Sequence, residues 1–303
     1  MSRSSPHSRA ASAVNALDAP TLSAVLLRQA LDKLPASPRV LQRLDELGGD
    51  RLSGLKDYAD AISMDAVVSA RVLRVANSPF FGFAGKVKSV ERAAAVLGQK
   101  ELVRMTRAIV VATSFKTSAR RVAQAHWKHS VRVAIASRAL AKSMSTMHDV
   151  DAVWTPALMH DIGQLMFASM FPEHARALWN FARREGITIA TAEQRLRYPA
   201  HDRLGELLCR KWELPAELGE VITGVHLAGG TSPQVRRSLL TRVIGTADVL
   251  VRLYEGGLNS TAVARERAAA MRLLACDEAG VDAQLRLLDA PLREADGLAA
   301  GFA

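Results

Sequence analysis

The chain has 303 residues, enough to bury a substantial core, and a formal net charge of +10. Aromatic residues make up only 5%, which favours helices, and no apolar run approaches the roughly 18 residues of a membrane-spanning helix, so a membrane protein is not expected. Two cysteines, Cys209 and Cys276, exclude a disulfide framework and a thiolate metal site, and a reducing cytoplasm is the expected compartment.

Apolar spacing predicts helices along almost the whole chain after a disordered tail at residues 1–20. The first part is expected to hold helices over 21–31, 38–47, 55–62, 65–76, 90–97 and 100–115. Asn77-Ser78-Pro79 should stop the helix over 65–76, because the residue before proline resists the α conformation. Phe80, Phe81 and Phe83 then follow in a loop and are expected to plug the junction between helices.

The helical pattern continues through the rest of the chain. Helices are predicted over 122–146, 151–171, 173–185, 189–196, 201–213, 215–228, 233–255 and 259–275, with further helical fragments after 276. No run of alternating apolar and polar residues is long enough for a strand. The sequence therefore predicts an all-α fold.

An adjacent imidazole and carboxylate, His160 and Asp161, end an apolar stretch, and this pair suits a divalent metal. Asp248 lies in an apolar helix, where a buried carboxylate needs a cation or hydrogen-bond donors. A metal would satisfy it, and so would an arginine such as Arg242 or Arg252.

Three further histidines extend this candidate site. His129, in a predicted helix with Val133 one turn on, taken alone is more typical of a core histidine. With the other three residues it forms the order His, His-Asp, Asp of the HD superfamily of metal-dependent phosphohydrolases. His201 and His226 are candidates for outer ligands or phosphate contacts. A bound metal, expected to be manganese, iron or zinc, would polarise a phosphoryl oxygen and lower the pKa of a coordinated water.

Several motifs in order resemble the HDOD family, the HD-related output domains of bacterial signalling proteins, along roughly residues 30–255. They are Leu34-Pro35 with Pro38, Leu73-Arg74-Val75-Ala76-Asn77-Ser78 with Phe81-Gly82, Val87 to Gly98, Trp127 with His129-Ser130, Leu158 to Gly163, and Glu193 through His201 and Trp212 to His226. Asn77, Ser78 and Gly82 belong to the most distinctive of these motifs and are expected to be structural.

The resemblance implies a two-lobed HDOD fold: a small N-terminal helical lobe, 21–118, packed on an HD-like helical lobe, 119–275, with a C-terminal extension at 276–303. It also implies a non-catalytic signal-transduction protein, in a family often attached to response-regulator or cyclic di-GMP enzymes. Such a module would bind a partner protein or a nucleotide and need no cofactor.

Departures from the family bear on the alternative, a metal-dependent phosphohydrolase acting on a nucleotide or phosphate ester. The usual His-His pair is Val225-His226, the usual Asp-Pro is Asp65-Ala66, and the Gly-Tyr-Pro element of the cyclic di-GMP phosphodiesterase branch is missing. The missing histidine and the missing Gly-Tyr-Pro element argue against a multi-metal phosphodiesterase, although all four parent HD positions are kept.

Nucleic-acid binding is a third hypothesis, because nearly all the excess charge lies in the first part of the chain. Residues 1–125 carry 19 Lys and Arg against 10 Asp and Glu, whereas residues 126–303 carry 21 against 20. Lys100, Arg104 and Arg107 would share one helical face, although any solvated helix face has this spacing. The sequence determines neither the partner nor the oligomeric state.

Overall fold

A computed structural model describes residues 34–299, except 35, 79, 80, 84, 145, 146, 148 and 227–237. Within these ranges the regular elements are helices and there are no strands, which confirms the all-α prediction. The predicted tail at 1–20, the predicted helix at 21–31 and Phe80 lie outside the described residues.

Five helices form the first part of the structure and pack against one another. They are α1 (Arg39–Gly49), α2 (Leu55–Ser63), α3 (Ala66–Ala76), α4 (Val90–Leu97) and α5 (Gln99–Ser114). Asp65 and Ser89 begin α3 and α4 because their side-chain oxygens accept first-turn N–H groups, from Val67 and Val68 in α3 and from Arg92 in α4.

A long helix, α6 (Arg120–Ser143), runs through the core of the rest. A 3-10 helix (Val150–Val153) follows it, and then α7 (Trp154–Met159), α8 (Ile162–Met170), α9 (Pro172–Glu185), α10 (Ile189–Leu196), α11 (His201–Lys211), α12 (Ala216–Gly224), α13 (Leu239–Glu255), α14 (Ser260–Leu274) and α15 (Glu278–Ala299). Helix α6 contacts α7, α8, α13 and α15, so the C-terminal extension packs on the same core.

The predicted continuous helix over 151–171 is wrong, because the chain turns at His160 and Asp161. Helix α7 ends at Met159, and Asp161 precedes α8 with φ −108° and ψ 16°. Directly after the turn, the backbone of Gly163 lies against α11, where a Cβ atom would meet the carbonyl oxygen of His201 at 1.8 Å. This close crossing of α8 and α11 brings Asp161 towards His201.

The two-lobed division remains a prediction, although the packing is consistent with it. Helices α1 to α5 contact one another, and α5 also contacts α7. Within the described ranges, none of the helices combines the length and apolarity that a bilayer crossing requires.

The motif residue Asn77 ties the end of α3 to the start of the next segment. Its side-chain amide donates to the carbonyl oxygens of Leu73 (2.9 Å) and Val87 (2.7 Å), and its Oδ1 accepts from the N–H of Val87 (2.9 Å). Gly82, in the loop between them, has φ +74°, which favours glycine. Three hydrogen bonds from one side chain therefore hold this loop closed, as the structural assignment of the motif requires.

Replacing Asn77 with alanine is expected to lower the free energy of unfolding by about 2–3 kcal/mol, because it removes all three bonds and leaves the Val87 N–H without its partner. Urea denaturation measures this loss. Gln42→Ala, which removes one exposed bond to the Ser37 carbonyl, is the control and should cost less than about 0.5 kcal/mol. Equal stability of the two variants would contradict the role of Asn77.

Candidate metal centre and ligand cavity

Six side chains from five parts of the fold converge at one place, and we call them the His/Asp cluster. They are His129 on α6, His160 and Asp161 at the turn between α7 and α8, His201 at the start of α11, His226 just after α12, and Asp248 on α13. All four candidate metal ligands and both candidate outer ligands of the sequence analysis are therefore brought together. His160 and Asp248 are fully buried, and Asp161 and His201 nearly so.

Three of the four parent HD positions form the first ligand group, and Asp248 lies beside it. Nε2 of His129 lies 3.1 Å from Oδ1 of Asp248, and Nε2 of His160 lies 3.4 Å from Oδ1 of Asp161 and 3.8 Å from Oδ1 of Asp248. Nitrogen or oxygen ligands bound at about 2.1 Å lie about 3.0–3.4 Å apart in octahedral or tetrahedral geometry. His129, His160 and Asp161 place their ligand atoms close enough for one ion.

A second group shares Asp161 with the first. Oδ1 of Asp161 lies 2.7 Å from Nε2 of His226 and 3.2 Å from Nε2 of His201, and the two Nε2 atoms are 2.8 Å apart. These three residues also place one ligand atom each within range of a single ion. The group forms even though Val225 replaces a histidine of the family pattern.

Three of the histidines contact an acceptor through the ring nitrogen that points away from the cluster. These contacts fix which ring nitrogen faces the cluster. Nδ1 of His160 lies 2.7 Å from the carbonyl oxygen of Ala157, Nδ1 of His201 lies 2.8 Å from Glu193, and Nδ1 of His129 lies 2.9 Å from Glu255. An Nδ1–H that donates outward leaves Nε2 as the lone-pair donor facing inward, which is the usual arrangement of metal-binding histidines.

The donor set fits a divalent transition metal. Nε2 of His160 is buried and makes no hydrogen bond among the described residues, although Oδ1 of Asp161 lies 3.4 Å away and Ala157 orients its imidazole. A buried, oriented and unsatisfied nitrogen is costly unless something binds it. Imidazoles and carboxylates are the ligands that zinc, iron and manganese accept.

Arg252 occupies the other side of Asp248. Its guanidinium contacts Oδ2 of Asp248, one turn away on α13, and donates to Glu266 at 2.9 Å and 3.1 Å. Arg252 is therefore the arginine partner that the sequence analysis considered, and it leaves Oδ1 of Asp248 facing the histidines. Arg242 is not needed for this role.

Charge compensation inside the cluster shifts several pKa values. Burial would raise the pKa values of Asp161 and Asp248, but both lie well below the usual range. Surrounding histidines lower the pKa of Asp161, and Arg252 together with histidines lowers that of Asp248. Burial would lower the pKa of His129, but Glu255 and Asp248 raise it to about 10, and Glu193 and Asp161 likewise raise that of His201. The raised pKa values of His129 and His201 favour their protonated forms, which would supply positive charge to the cluster when no metal is bound.

A cavity of about 740 Å³ adjoins the cluster, a size typical of small-molecule sites. It is lined by residues of α6, α9, α10, α13 and α14 and by four members of the cluster: His129, Asp161, His201 and His226. A small molecule in this cavity would lie directly against the candidate metal ligands.

The predicted basic surface is largely neutralised. Arg104 pairs with Asp149 at 2.9 Å, Arg107 pairs with Asp45, and Lys100 is exposed. Two of the three cations are therefore engaged by carboxylates, which weakens the case for a nucleic-acid surface. That hypothesis stays a prediction.

Glu101 on α5 lies beside this surface and is 11% exposed, and its Oε2 has no hydrogen-bond partner among the described residues. Burial and the carboxylates of Asp151 and Asp149 raise its pKa to about 7, against the opposing pull of Arg104 and Arg138. The folded protein thus binds this proton more tightly than the unfolded chain. The resulting stability is complete below pH 4.5 and is lost as the pH rises towards 7.

Replacing Glu101 with glutamine is expected to raise the free energy of unfolding by about 1–3 kcal/mol at pH 8, because the buried negative charge is removed. At pH 4.5 and below, the variant and the wild type should be equally stable. Urea denaturation at both pH values measures the difference. A gain of the same size at both pH values would contradict the assigned titration.

Sequence reasoning missed several residues that hold the cluster. The spacing of Glu255 could have indicated its role, since it follows Asp248 by seven residues and therefore shares its helical face. Glu193 is recognisable in the sequence only as part of a family motif. Gln164, which donates to Oδ2 of Asp161 at 2.6 Å, and the carbonyl of Ala157 carried no signal in the sequence.

Structural comparison finds the same fold in proteins of low sequence identity. An HDOD domain protein of unknown function from Geobacter sulfurreducens is 21% identical with a TM-score of 0.68, covering 91% of this chain and 96% of its own. A protein from Shewanella amazonensis SB2B, provisionally named a phosphohydrolase, is 23% identical with a TM-score of 0.68, covering 93% and 99%. One from Marinobacter aquaeolei VT8, provisionally named a signal transduction protein, is 19% identical with a TM-score of 0.67, covering 94% and 67%.

Among curated sequences, an uncharacterized protein from Treponema pallidum is 20% identical over 236 residues. The match covers 78% of this chain and 45% of that protein, so the chain spans about half the length of this relative. A family model for the HDOD domain matches residues 34–228, well over half of the chain. With the all-helical fold and the converging histidines and aspartates, this match establishes that the chain belongs to the HDOD domain family.

Proposed function

We propose that the protein is a signalling module that binds a divalent transition metal in the His/Asp cluster and a phosphate-bearing small molecule in the adjoining cavity. The observation that carries this proposal is the outward anchoring of His129, His160 and His201 through Nδ1, which aims three Nε2 atoms at two buried aspartates. A core histidine needs one hydrogen bond, whereas this arrangement is the one that orients metal ligands.

Different residues would bind the metal and the phosphate-bearing ligand. His129, His160 and Asp161 would hold the ion, with Oδ1 of Asp248 beside them as a fourth ligand. His201 and His226 could hold a second ion or a phosphate oxygen. A bound ion would supply Lewis acidity towards a phosphoryl oxygen. Gln164 keeps Asp161 in place, and Arg252 keeps Oδ1 of Asp248 turned to the histidines.

The pairing of the carboxylates in the cavity wall favours ligand binding over catalytic turnover. Among the described wall residues every carboxylate is already engaged: Asp161 by His201 and His226, Glu255 by His129, and Glu266 by Arg252. A carboxylate that serves as general base must be free to take a proton in the reaction, so these three carboxylates do not favour turnover. Recognition of a ligand makes no such demand.

Hydrolysis of a phosphate ester is the second candidate function, and one observation favours it. Asp161 belongs to both ligand groups, and a shared carboxylate is suited to a two-metal site that would hold both oxygens of a phosphoryl transfer. In that case the same cluster would be catalytic.

The test measures manganese binding by the loss of the free Mn²⁺ electron paramagnetic resonance signal. We expect the wild type to bind Mn²⁺ and His160→Gln to bind it at least about tenfold more weakly. His174→Gln, which changes a histidine outside the cluster and the cavity wall, is the control. Calorimetry should then show orthophosphate binding to the manganese-loaded protein and little to the chelated protein.

Turnover separates the two candidate functions. With bis(4-nitrophenyl) phosphate as substrate, the signalling proposal predicts no nitrophenol release above that of Asp161→Asn. Release that depends on manganese and disappears in Asp161→Asn would instead support the hydrolase.

A further inference from the structure

The cavity wall away from the His/Asp cluster carries uncompensated positive charge. Arg183 on α9 and Arg265 on α14 both line the cavity, and neither has a carboxylate partner among the described residues. The guanidinium of Arg183 lies over the ring of Trp179, 4.7 Å from its centroid, so an aromatic face supports it. The acidic wall residues, by contrast, are all paired.

The start of α10 adds hydrogen-bond donors to the same wall. Thr188 caps this eight-residue helix by accepting the N–H of Thr191, and the wall includes Ile189 and Ala190, whose N–H groups have no intrahelical acceptor. The N–H groups and the dipole of a helix start favour a phosphate. Arginine forks match phosphate oxygens in the same way.

An independent observation points to a ligand in this cavity. His126, one turn before His129 on α6, is only 5% exposed and lines the cavity, yet neither of its ring nitrogens has a hydrogen-bond partner among the described residues. Its ring contacts Trp127 edge-on, which satisfies no polar atom. A buried histidine with two unsatisfied nitrogens is costly for folding, and a bound ligand would supply the missing partner.

We propose that Arg183, Arg265 and the start of α10 form a second phosphate subsite that does not depend on a metal, with His126 as a further hydrogen-bonding contact to the same ligand. The ligand class is then a phosphorylated compound of nucleotide size with at least two phosphate groups. One phosphate would lie at the His/Asp cluster and another at this second subsite. Only the first of these placements rests on the proposed function above.

The test uses the full chain stripped of metal with EDTA and ADP as the probe, with calorimetry as the readout. We expect ADP to bind the wild type, and Arg183→Gln/Arg265→Gln to bind it at least about tenfold more weakly. Arg184→Gln is the matched control, because Arg184 follows Arg183 on α9 but lies outside the cavity wall and pairs with Glu185. Absence of ADP binding by the metal-free wild type, or equal affinity in the double variant, would overturn the proposal.

His126→Met separates a binding role from a structural one. A methionine of similar size removes both unsatisfied nitrogens, so the melting temperature should stay the same or rise. ADP affinity should nevertheless fall about fivefold or more. Unchanged ADP affinity would overturn the assignment of His126.

The outcomes remain distinct from those for the metal proposal. If manganese fails to bind but ADP binding still depends on Arg183 and Arg265, the metal proposal fails and the second subsite stands. If manganese binds but metal-free ADP binding does not depend on the two arginines, the second subsite fails alone.

Discussion

Gly163→Ala is expected to lower the free energy of unfolding by roughly 3 kcal/mol or more and to disperse the His/Asp cluster. A Cβ atom at this position would lie 1.8 Å from the carbonyl oxygen of His201 and 2.9 Å from the backbone nitrogen of Gly205. Both are backbone atoms, so no side-chain rotation relieves the clash. Helices α8 and α11 would have to separate, and His201 would move away from Asp161.

Gly219→Ala is the matched control for this prediction. Gly219 is also a helical glycine, but a Cβ atom there meets no heavy atom within 4 Å. That variant should gain about 0.5–1 kcal/mol, because alanine restricts the unfolded chain. Thermal unfolding of both variants checks the pair, and a Gly163→Ala protein as stable as Gly219→Ala would contradict the observed packing of α8 on α11.

Arg252→Met should cost about 3–5 kcal/mol in metal-free protein, because it removes the cation between two carboxylates. Asp248 is fully buried and the side chain of Glu266 is 11% exposed, so neither charge is well hydrated once Arg252 is gone. Methionine keeps the length of the side chain, which limits the loss of packing. Urea denaturation after EDTA treatment measures the cost.

Added manganese should reduce this cost, since an ion bound at Oδ1 of Asp248 would compensate the same carboxylate. Arg184→Met is the control: that arginine is 71% exposed, and its pairing with Glu185 should contribute less than about 1 kcal/mol. A loss below about 1 kcal/mol for Arg252→Met would show that Asp248 is not held as a buried anion.

The parts of the candidate site that were predictable from the sequence are those where a charged side chain lies among apolar residues. Asp248 sits in an apolar helix, so its need for a partner followed from the cost of burying a carboxylate, and Arg252 is among the partners considered. His160 and Asp161 were likewise recognisable as an adjacent pair at the end of an apolar stretch.

The helix predicted over 151–171 missed the turn at His160 and Asp161, because helical apolar spacing resumes directly after this polar pair. The break lies where α8 packs on α11 through Gly163, a contact between residues far apart in the chain. For the same reason the spacing that placed His126 on α6 gave no sign that its nitrogens lack partners. Local periodicity predicts which residues are helical and leaves the partners across the core undetermined.

The most direct test of the central claim is the metal content of the full chain, measured by elemental mass spectrometry after purification without chelator and incubation with manganese, iron or zinc. We predict at least one ion per chain in the wild type and in Asp202→Asn, whose side chain follows His201 but belongs to neither ligand group. Asp161→Asn, which removes the carboxylate that both groups share, should contain almost none. A metal-free wild type, or Asp161→Asn with the wild-type metal content, would contradict a metal site in the His/Asp cluster.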